Sequence, residues 1–326
     1  MKTKIVSAAG IALLALVQFH HCAAQAPAYP TRPIRIVDPF PPGGPSDIVG
    51  RSISQPLGEA LGQTIVIDNR GGAAGTVGTT IVANAPADGH TLLLGPSGAL
   101  TIQPTLNPDL PYHPQRDFAT VTQLTSGPQV IAVHPAVAAK SIRELIALAK
   151  AKSGQLNYAS GGAGTANHLA AEVFKLAAGV DIVHIPYKGT GPALTSVISG
   201  ESQMIISSLL PALPHLKAGR LRALAVTSAA RSAAVPNVPT ASESGLPKFE
   251  TSSWHGILAP ARTSRAIIMR LHAELVKVLN LPDVRERLTA QGLNVVASTP
   301  QEFAAYIKSE TAKYARVIKQ IGLKAQ

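Results

Sequence analysis

The chain has a single cysteine, Cys22, and it lies in an N-terminal segment that we expect to be removed. The mature chain would then contain no thiol, which excludes disulfides, cysteine nucleophiles and cysteine-ligated metals. Aromatic residues make up only 4% of the chain, and no dense run of Lys and Arg occurs. Although the formal net charge is +11, these two features argue against a nucleic-acid partner.

The N-terminus carries the pattern of a cleavable signal peptide. Two lysines precede a short apolar stretch over residues 5–19, and small residues at 22–24 offer a cleavage site. A membrane anchor and a lipid-modified Cys22 are the weaker alternatives, since a span needs about 20 apolar residues and two histidines precede the cysteine. We predict a signal peptide over residues 1–24 and localisation in the periplasm.

Catalytic and metal-binding motifs are scarce. The chain has no G-x-x-x-x-G-K-[ST] loop and no His-x-x-x-His pair. The segment Gly95-Pro96-Ser97-Gly98-Ala99 is similar to a nucleophile elbow, but it ends in Ala where Gly is needed and no His/Asp pair is evident. We therefore predict no catalytic residues, no metal and no cofactor. Two other classes of protein stay open: an exported hydrolase and, after it, an adhesive surface protein.

What the sequence does contain is an alternation of strands and helices in both halves. The pattern predicts strands at 34–37, 63–67, 91–94, 156–159, 182–185 and 204–206, and helices at 48–61, 75–85, 141–152, 166–178, 265–279, 282–291 and 300–321. Such alternation is typical of a parallel sheet with helices on both faces.

The length and the order of these elements predict two lobes. About 300 residues remain after cleavage, more than one hydrophobic core usually spans. The C-terminal helices are expected to pack back on the first half, which gives two hinge crossings. We predict an α/β, two-lobed fold in which each lobe is a mostly parallel sheet flanked by helices. Lobe I comprises residues 25–125 and 247–326, and lobe II residues 126–246.

Two glycine-rich loops, at 38–47 and 160–165, each lead from a strand into a helix. The first turn of a helix presents free amides in a field that favours anions. Hydroxyl side chains follow the strands where open α/β sheets place their ligands; they are Ser46, Ser97, Ser160 and Thr165. The two loops predict a clamp that holds a small carboxylate with amides and hydroxyls, without a buried cation.

Each of these residues also has a purely structural interpretation. The Ser and Thr hydroxyls are ordinary helix N-cap residues as well. Asp47 would repel an anion unless it caps the loop, and a histidine such as His168 is more often a buried capping residue than a ligand contact. Both interpretations stay open at this point.

A set of motifs spread over the mature chain resembles one family. They are Tyr29-Pro30-x-Arg32-Pro33-Ile34, Pro41-Pro42-Gly43-Gly44-Pro45-x-Asp47, Asn69-Arg70-x-Gly72-Ala73-x-Gly75, Asp88-Gly89-His90-Thr91-Leu92-Leu93, Tyr158-Ala159-Ser160-x-Gly162-x-Gly164-Thr165-x-Asn167-His168-Leu169 and Pro186-Tyr187-Lys188-Gly189. Together they resemble the Bug family, the extracytoplasmic substrate-binding receptors of tripartite tricarboxylate transporters.

The resemblance implies a periplasmic binding fold that closes around one small mono- or dicarboxylate and delivers it to membrane transporter subunits, or to a sensor, without catalysis. It implies a monomer. The ligand-binding positions it implies are Phe40, Gly43, Gly44, Ser46, Asp47, Ser97, Ser160, Gly161, Gly164, Thr165, His168 and Ser207.

One departure from the family pattern bears on the ligand. Where family members that bind amino acids carry an acidic residue after the strand at 204–206, this chain has Ser207-Ser208. An ammonium group on the ligand would lack a partner there. We predict a carboxylate ligand without an ammonium group, aromatic acids included.

Overall fold

The computed structural model describes residues 29–324, so the predicted signal peptide lies outside the described residues. The strands are β1 (Ile34–Asp38), β2 (Ile65–Asn69), β3 (Thr91–Pro96), β4 (Phe118–Val133), β5 (Asn157–Ser160), β6 (Val183–Pro186), β7 (Met204–Ser208), β8 (Arg222–Val226), β9 (Ser252–Pro260) and β10 (Asn294–Val295). The helices are α1 (Pro45–Leu61), α2 (Thr76–Ala83), α3 (Gln103–Leu106), α4 (Pro114–Asp117), α5 (Ile142–Ala151), α6 (Ala166–Ala178), α7 (Thr190–Ile198), α8 (Leu209–Lys217), α9 (Arg265–Leu279), α10 (Pro282–Ala290) and α11 (Pro300–Ile321).

The strands form one sheet in the order β2-β1-β3-β9-β4-β7-β5-β6, with β8 and β10 also paired to β4. Pairing is parallel at the two ends of the sheet, where β1 pairs with β2 and β3, and β5 pairs with β6 and β7. In the centre β9 and β4 are antiparallel to their neighbours. The predicted α/β class is confirmed, and the parallel pairing predicted for each lobe holds in the outer strands.

The two halves of the sheet share one long strand, β4. Its first part pairs with β9 as far as the rung Pro128–Ser252, and its last five residues pair with β7. Sequence analysis did not identify β4 or β9. Both are buried almost throughout, so they lack the alternation of apolar and polar residues that marks a half-exposed strand.

Helix starts lie at the carboxyl ends of the parallel strands. Helix α1 begins at Pro45, three residues before the apolar pattern predicts it, because a proline at the first position needs no hydrogen-bond acceptor. Thr165 caps α6 by accepting a hydrogen bond from the His168 amide. The carboxyl edge of the sheet thus collects the first turns of several helices.

Helix α11 packs against both halves of the chain. Its buried residues Tyr314 and Ile318 join one apolar cluster with Ile102 and Leu106 from the first half and Leu169 of α6 from the second. In residues 29–324 no helix combines the length and the apolar character that a membrane span requires. The C-terminal helix therefore braces the two halves from one side.

Candidate functional site

A small cavity of about 40 Å³ lies at the carboxyl edge of the sheet, between the two halves. Its wall contains loop and helix-start residues from both halves and side chains of the central strands. The lining residues are Phe40, Gly44, Pro45, Ser46, Pro96, Ser97, Gly98, Gln129, Thr165, Ala166, Asn167, Thr190, Ser208, Ser253 and His255. Residues of both glycine-rich loops singled out in the sequence line this cavity.

Four helices begin at this cavity. The wall includes Pro45 and Ser46 of α1, Ala166 and Asn167 of α6, and Thr190 of α7, while Ser208 immediately precedes α8. First-turn amides of a helix have no intrahelical acceptor, and each helix start carries a partial positive charge. Because the four starts converge, the cavity is polarised for an anion.

The lining residues described above include no Lys, Arg, Asp or Glu. Their one titratable side chain is His255, and burial lowers the pKa of that imidazole to about 4. At neutral pH His255 is therefore uncharged. The positive potential of the cavity comes from peptide dipoles, not from a cationic side chain.

The central strands supply a polar floor. We call Gln129, Ser208, Ser253 and His255 the cavity floor. Gln129 of β4 lies directly opposite Ser208 of β7 in the ladder, and Ser253 and His255 lie two residues apart on β9, which places them on the same face. Sequence analysis did not identify Gln129, Ser208, Ser253 or His255 as site residues. Finding them requires the register of β4 and β9, which the sequence pattern does not reveal.

Five of the sequence-predicted residues lie on the cavity wall: Phe40, Gly44, Ser46, Ser97 and Thr165. The side-chain hydroxyls of two of them donate hydrogen bonds within the protein. The Ser46 hydroxyl donates to the Asp38 carboxylate at 2.7 Å, and the Thr165 hydroxyl donates to the Gly162 carbonyl at 2.7 Å.

Asp47 and Gly43 lie beside the cavity but do not line it. The Gly43 amide donates to the Asp47 carboxylate at 3.0 Å, and Arg51 pairs with the same carboxylate at 2.9 Å. Burial acts to raise the pKa of Asp47, but the hydrogen bonds from Arg51 and Gly43 bring it below its usual value. Asp47 is therefore a loop-capping carboxylate, one of the two interpretations left open by the sequence.

His168 and Ser160 are held in a buried cluster under the second loop. His168 Nδ1 accepts a hydrogen bond from the Gly164 amide at 3.1 Å, and its ring stacks on His184 with centroids 4.2 Å apart. Ser160 Oγ lies 2.6 Å from His184 Nε2 and is fully buried. Burial lowers the pKa of His168, which favours the neutral ring. These contacts support the capping interpretation of His168.

Three further predicted positions also lie off the cavity wall. Ser207 is buried within β7 and its hydroxyl donates to the Ser208 carbonyl at 3.2 Å. Since successive strand residues point to opposite faces, Ser208 lines the cavity and Ser207 does not. Gly161 and Gly164 line a wider vestibule of about 480 Å³ outside the cavity, together with Lys188.

Two close contacts lie at the vestibule, whose wall includes Gly189, Gln103 and Ala163. Gly189, at φ +117°, lies so near Pro41 that a Cβ would sit 2.7 Å from the proline ring. The Gln103 side-chain amide donates to the Ala163 carbonyl at 3.1 Å, which ties the loop of one half to the other. Only glycine fits at position 189, because both the positive φ and the approach to Pro41 exclude a side chain.

A buried carboxylate organises the first loop. Asp38 accepts hydrogen bonds from the Phe40 amide, the Ser46 hydroxyl and the Asn69 side chain. Burial raises the pKa of Asp38 to about 7, although the hydrogen bonds from Ser46 and Phe40 oppose that shift. The loop that carries Phe40 and Gly44 is thereby fixed from within the protein.

The chain is similar to a known protein family. A model described as the tripartite tricarboxylate transporter family receptor matches residues 49–323. The chain is 38% identical to Protein BugT of Bordetella pertussis over 300 residues, which cover 92% of each chain.

Solved structures are also similar. Periplasmic binding protein BugD is 33% identical, with a TM-score of 0.88 over 91% of this chain and all of that one. R. palustris Rpa4515 with adipate is 32% identical, with a TM-score of 0.89 over 91% of this chain and all of that one. MatC of Rhodopseudomonas palustris with bound malate is 34% identical, with a TM-score of 0.86 over 89% of this chain and all of that one. The predicted periplasmic binding protein fold is confirmed.

The depressed pKa of His255 predicts a loss of stability in acid. The unfolded chain binds the proton near pH 6.5 and the folded chain near pH 4. Stability is therefore complete above pH 6.5 and falls as the pH drops towards 4. Between pH 7 and pH 4.5 the wild type should lose about 2–3 kcal/mol more unfolding free energy than His255→Gln, measured by urea denaturation without ligand.

The matched control for this experiment is His113→Gln, which replaces an exposed histidine. That variant should follow the wild type. Equal losses in the wild type and in His255→Gln would show that the floor histidine is not held neutral by burial.

Proposed function

We propose, from the premise that this chain belongs to the tripartite tricarboxylate transporter receptor family, that it captures a small organic carboxylate in the cavity between its two halves. Its role as a solute-binding receptor follows from that membership. The proposal adds that the protein acts in the periplasm as a monomer, and passes its ligand to membrane transporter subunits or reports it to a sensor.

One observation carries the ligand class: four helix starts converge on a cavity whose described lining has no charged side chain. An anion at this point is favoured by the helix dipoles and by free first-turn amides. The adipate and malate in the similar structures are carboxylates as well. Oriented amides avoid the desolvation penalty that a buried Lys or Arg would carry.

Capture requires opening and closing, and the fold offers a hinge. We propose lobe I at residues 25–125 and 247–326 and lobe II at residues 126–246. The first crossing would then fall within β4 and the second shortly before β9 begins at Ser252. The contacts of Gly189 with Pro41 would form on closing and break on opening.

The cavity wall also supports a ligand without an ammonium group. A buried ammonium needs a carboxylate partner, and none lines the cavity among residues 29–324. Of the two serines that follow the strand predicted at 204–206, Ser208 lines the cavity and Ser207 does not. Ser208 is uncharged, as Ser207 is.

We propose binding without catalysis. A hydrolase needs a nucleophile within hydrogen-bond reach of a base. Ser97 lies on the wall, but the hydrogen bonds of the described chain give it no histidine partner. Neither member of the pair formed by Ser160 and His184 lines the cavity. The hydrolase alternative has no support in these contacts.

Placing a negative charge on the wall should abolish binding. Ser97→Asp adds a carboxylate at the cavity, whereas Ser97→Asn adds the same bulk without charge. Two like charges about 4 Å apart repel by roughly 4 kcal/mol in a partly buried site. We expect the Asp variant to bind at least ~100-fold more weakly than the Asn variant at pH 7. The measurement is calorimetric titration with mono- and dicarboxylates of two to eight carbons, with and without a hydroxyl.

Equal affinities in the two Ser97 variants would contradict the proposed anion site. So would a wild-type protein that binds none of these acids. Circular dichroism of both variants without ligand serves as the folding control.

Amino acids should bind poorly. Titrations of succinate against aspartate, and of glutarate against glutamate, compare ligands that differ by one ammonium group. We expect the amino acid of each pair to bind at least ~100-fold more weakly, since its ammonium would be desolvated without a partner. Tight binding of aspartate or glutamate, with none of the plain acids, would reject the proposal.

A further inference from the structure

The cavity floor contains an unusual concentration of polar atoms without hydrogen-bond partners. Both side-chain atoms of Gln129, the hydroxyls of Ser208 and Ser253, and Nδ1 of His255 have no partner within the protein. The four residues are 1%, 2%, 6% and 2% exposed, respectively. Buried polar groups are normally paired, and leaving one unpaired costs about 1–3 kcal/mol. These atoms therefore need hydrogen-bond partners from outside the protein, which a bound molecule or water supplies.

The floor is held by the best-buried part of the sheet. Gln129 and Ser208 face each other across β4 and β7. Between Ser253 and His255, Trp254 points to the opposite face and packs on the Phe303 ring with centroids 5.5 Å apart. The side chains of the floor are thus positioned by the strands and not by mobile loops.

Donors and acceptors at the floor restrict what can bind there. The Gln129 amide offers one oxygen that only accepts and one NH₂ that only donates, and both are unpartnered in either orientation of the amide. The unpartnered Nδ1 of the neutral His255 ring donates or accepts according to its tautomer. An ionised carboxylate donates nothing, so it would leave the Gln129 oxygen unsatisfied. A group that both donates and accepts would satisfy the oxygen and the NH₂ of Gln129.

We propose that the floor binds a neutral hydroxyl or primary amide of the ligand, while the ligand carboxylate lies at the helix starts. This inference rests on the proposed function and narrows it to a carboxylate that carries one such neutral group. Gln129 is then the main specificity-determining residue, and Ser253 and Ser208 contribute further hydrogen bonds.

The test compares acids of equal chain length, from three to six carbons, by calorimetric titration at pH 7. Each set holds the unsubstituted acid, its α,ω-dicarboxylate, its terminal carboxamide, and hydroxy acids with the hydroxyl at each carbon in turn. In at least one set, a hydroxy acid or the carboxamide should bind at least 10-fold more tightly than both the unsubstituted acid and the dicarboxylate. Gln129→Leu should erase that preference, so that the hydroxy acid, the carboxamide and the unsubstituted acid of that set bind within 3-fold of one another.

Two further variants keep this test decisive. Ser253→Ala removes one floor hydroxyl with little change in volume, and should weaken binding of the preferred ligand 3- to 10-fold. This variant provides the test if Gln129→Leu does not fold. Gln155→Leu, at an exposed position, should bind like the wild type.

Two results would overturn the inference in different ways. In the first, the dicarboxylate of every set binds as tightly as the hydroxy acids and the carboxamide, and Gln129→Leu does not change these relative affinities. The floor is then not the site of a neutral group, but the proposed function stands. If no carboxylate in any set binds, the proposed function fails and the inference with it.

Discussion

Four helices begin at one cavity of this protein, and the first-turn amides of a helix have no intrahelical acceptor. A helix start that is buried without a partner is unfavourable, so the convergence of α1, α6, α7 and α8 on the same cavity is tolerated only if something accepts those hydrogen bonds. The rest of the site follows from this constraint. The loops that lead into the helices are rich in glycine and proline because their backbones must approach each other closely, as Gly189 does with Pro41.

The two ends of the cavity make different demands on a ligand. The helix starts supply donors and a positive field, whereas the floor supplies both donors and acceptors without formal charge. A single anionic group cannot satisfy both, because it has no hydrogen to give to the Gln129 oxygen. Selectivity in this receptor would then come from the central strands β4, β7 and β9, while affinity for carboxylates in general would come from the helices.

The sequence predicted the parts of this site that depend on local rules. Glycine-rich loops before helices, and an N-cap threonine at position 165, are properties of short segments, and the structure has them where they were expected. The alternative interpretations of Asp47 and His168 were also accessible, since both residues cap backbone groups close to them in the chain.

The site positions that depend on strand register could not be predicted from the sequence. Strands β4 and β9 are buried on both faces and contain Gly127, Pro128 and Gly256, residues that more often mark turns. Without these strands, Gln129, Ser253 and His255 could not be assigned to the cavity. The choice of Ser207 over Ser208 shows the same limit, because a shift of one residue along a strand moves a side chain to the other face.

The central claim is that peptide dipoles, and not a cationic side chain, hold the charged end of the ligand. A crystal structure of the protein with its co-purified ligand tests this most directly. The account predicts a carboxylate within hydrogen-bond distance of the first-turn amides of α1 and α6, with no Lys or Arg nitrogen within 4 Å, the limit for an ion pair. A carboxylate paired with Lys188 in the vestibule, or with any Arg, would contradict it.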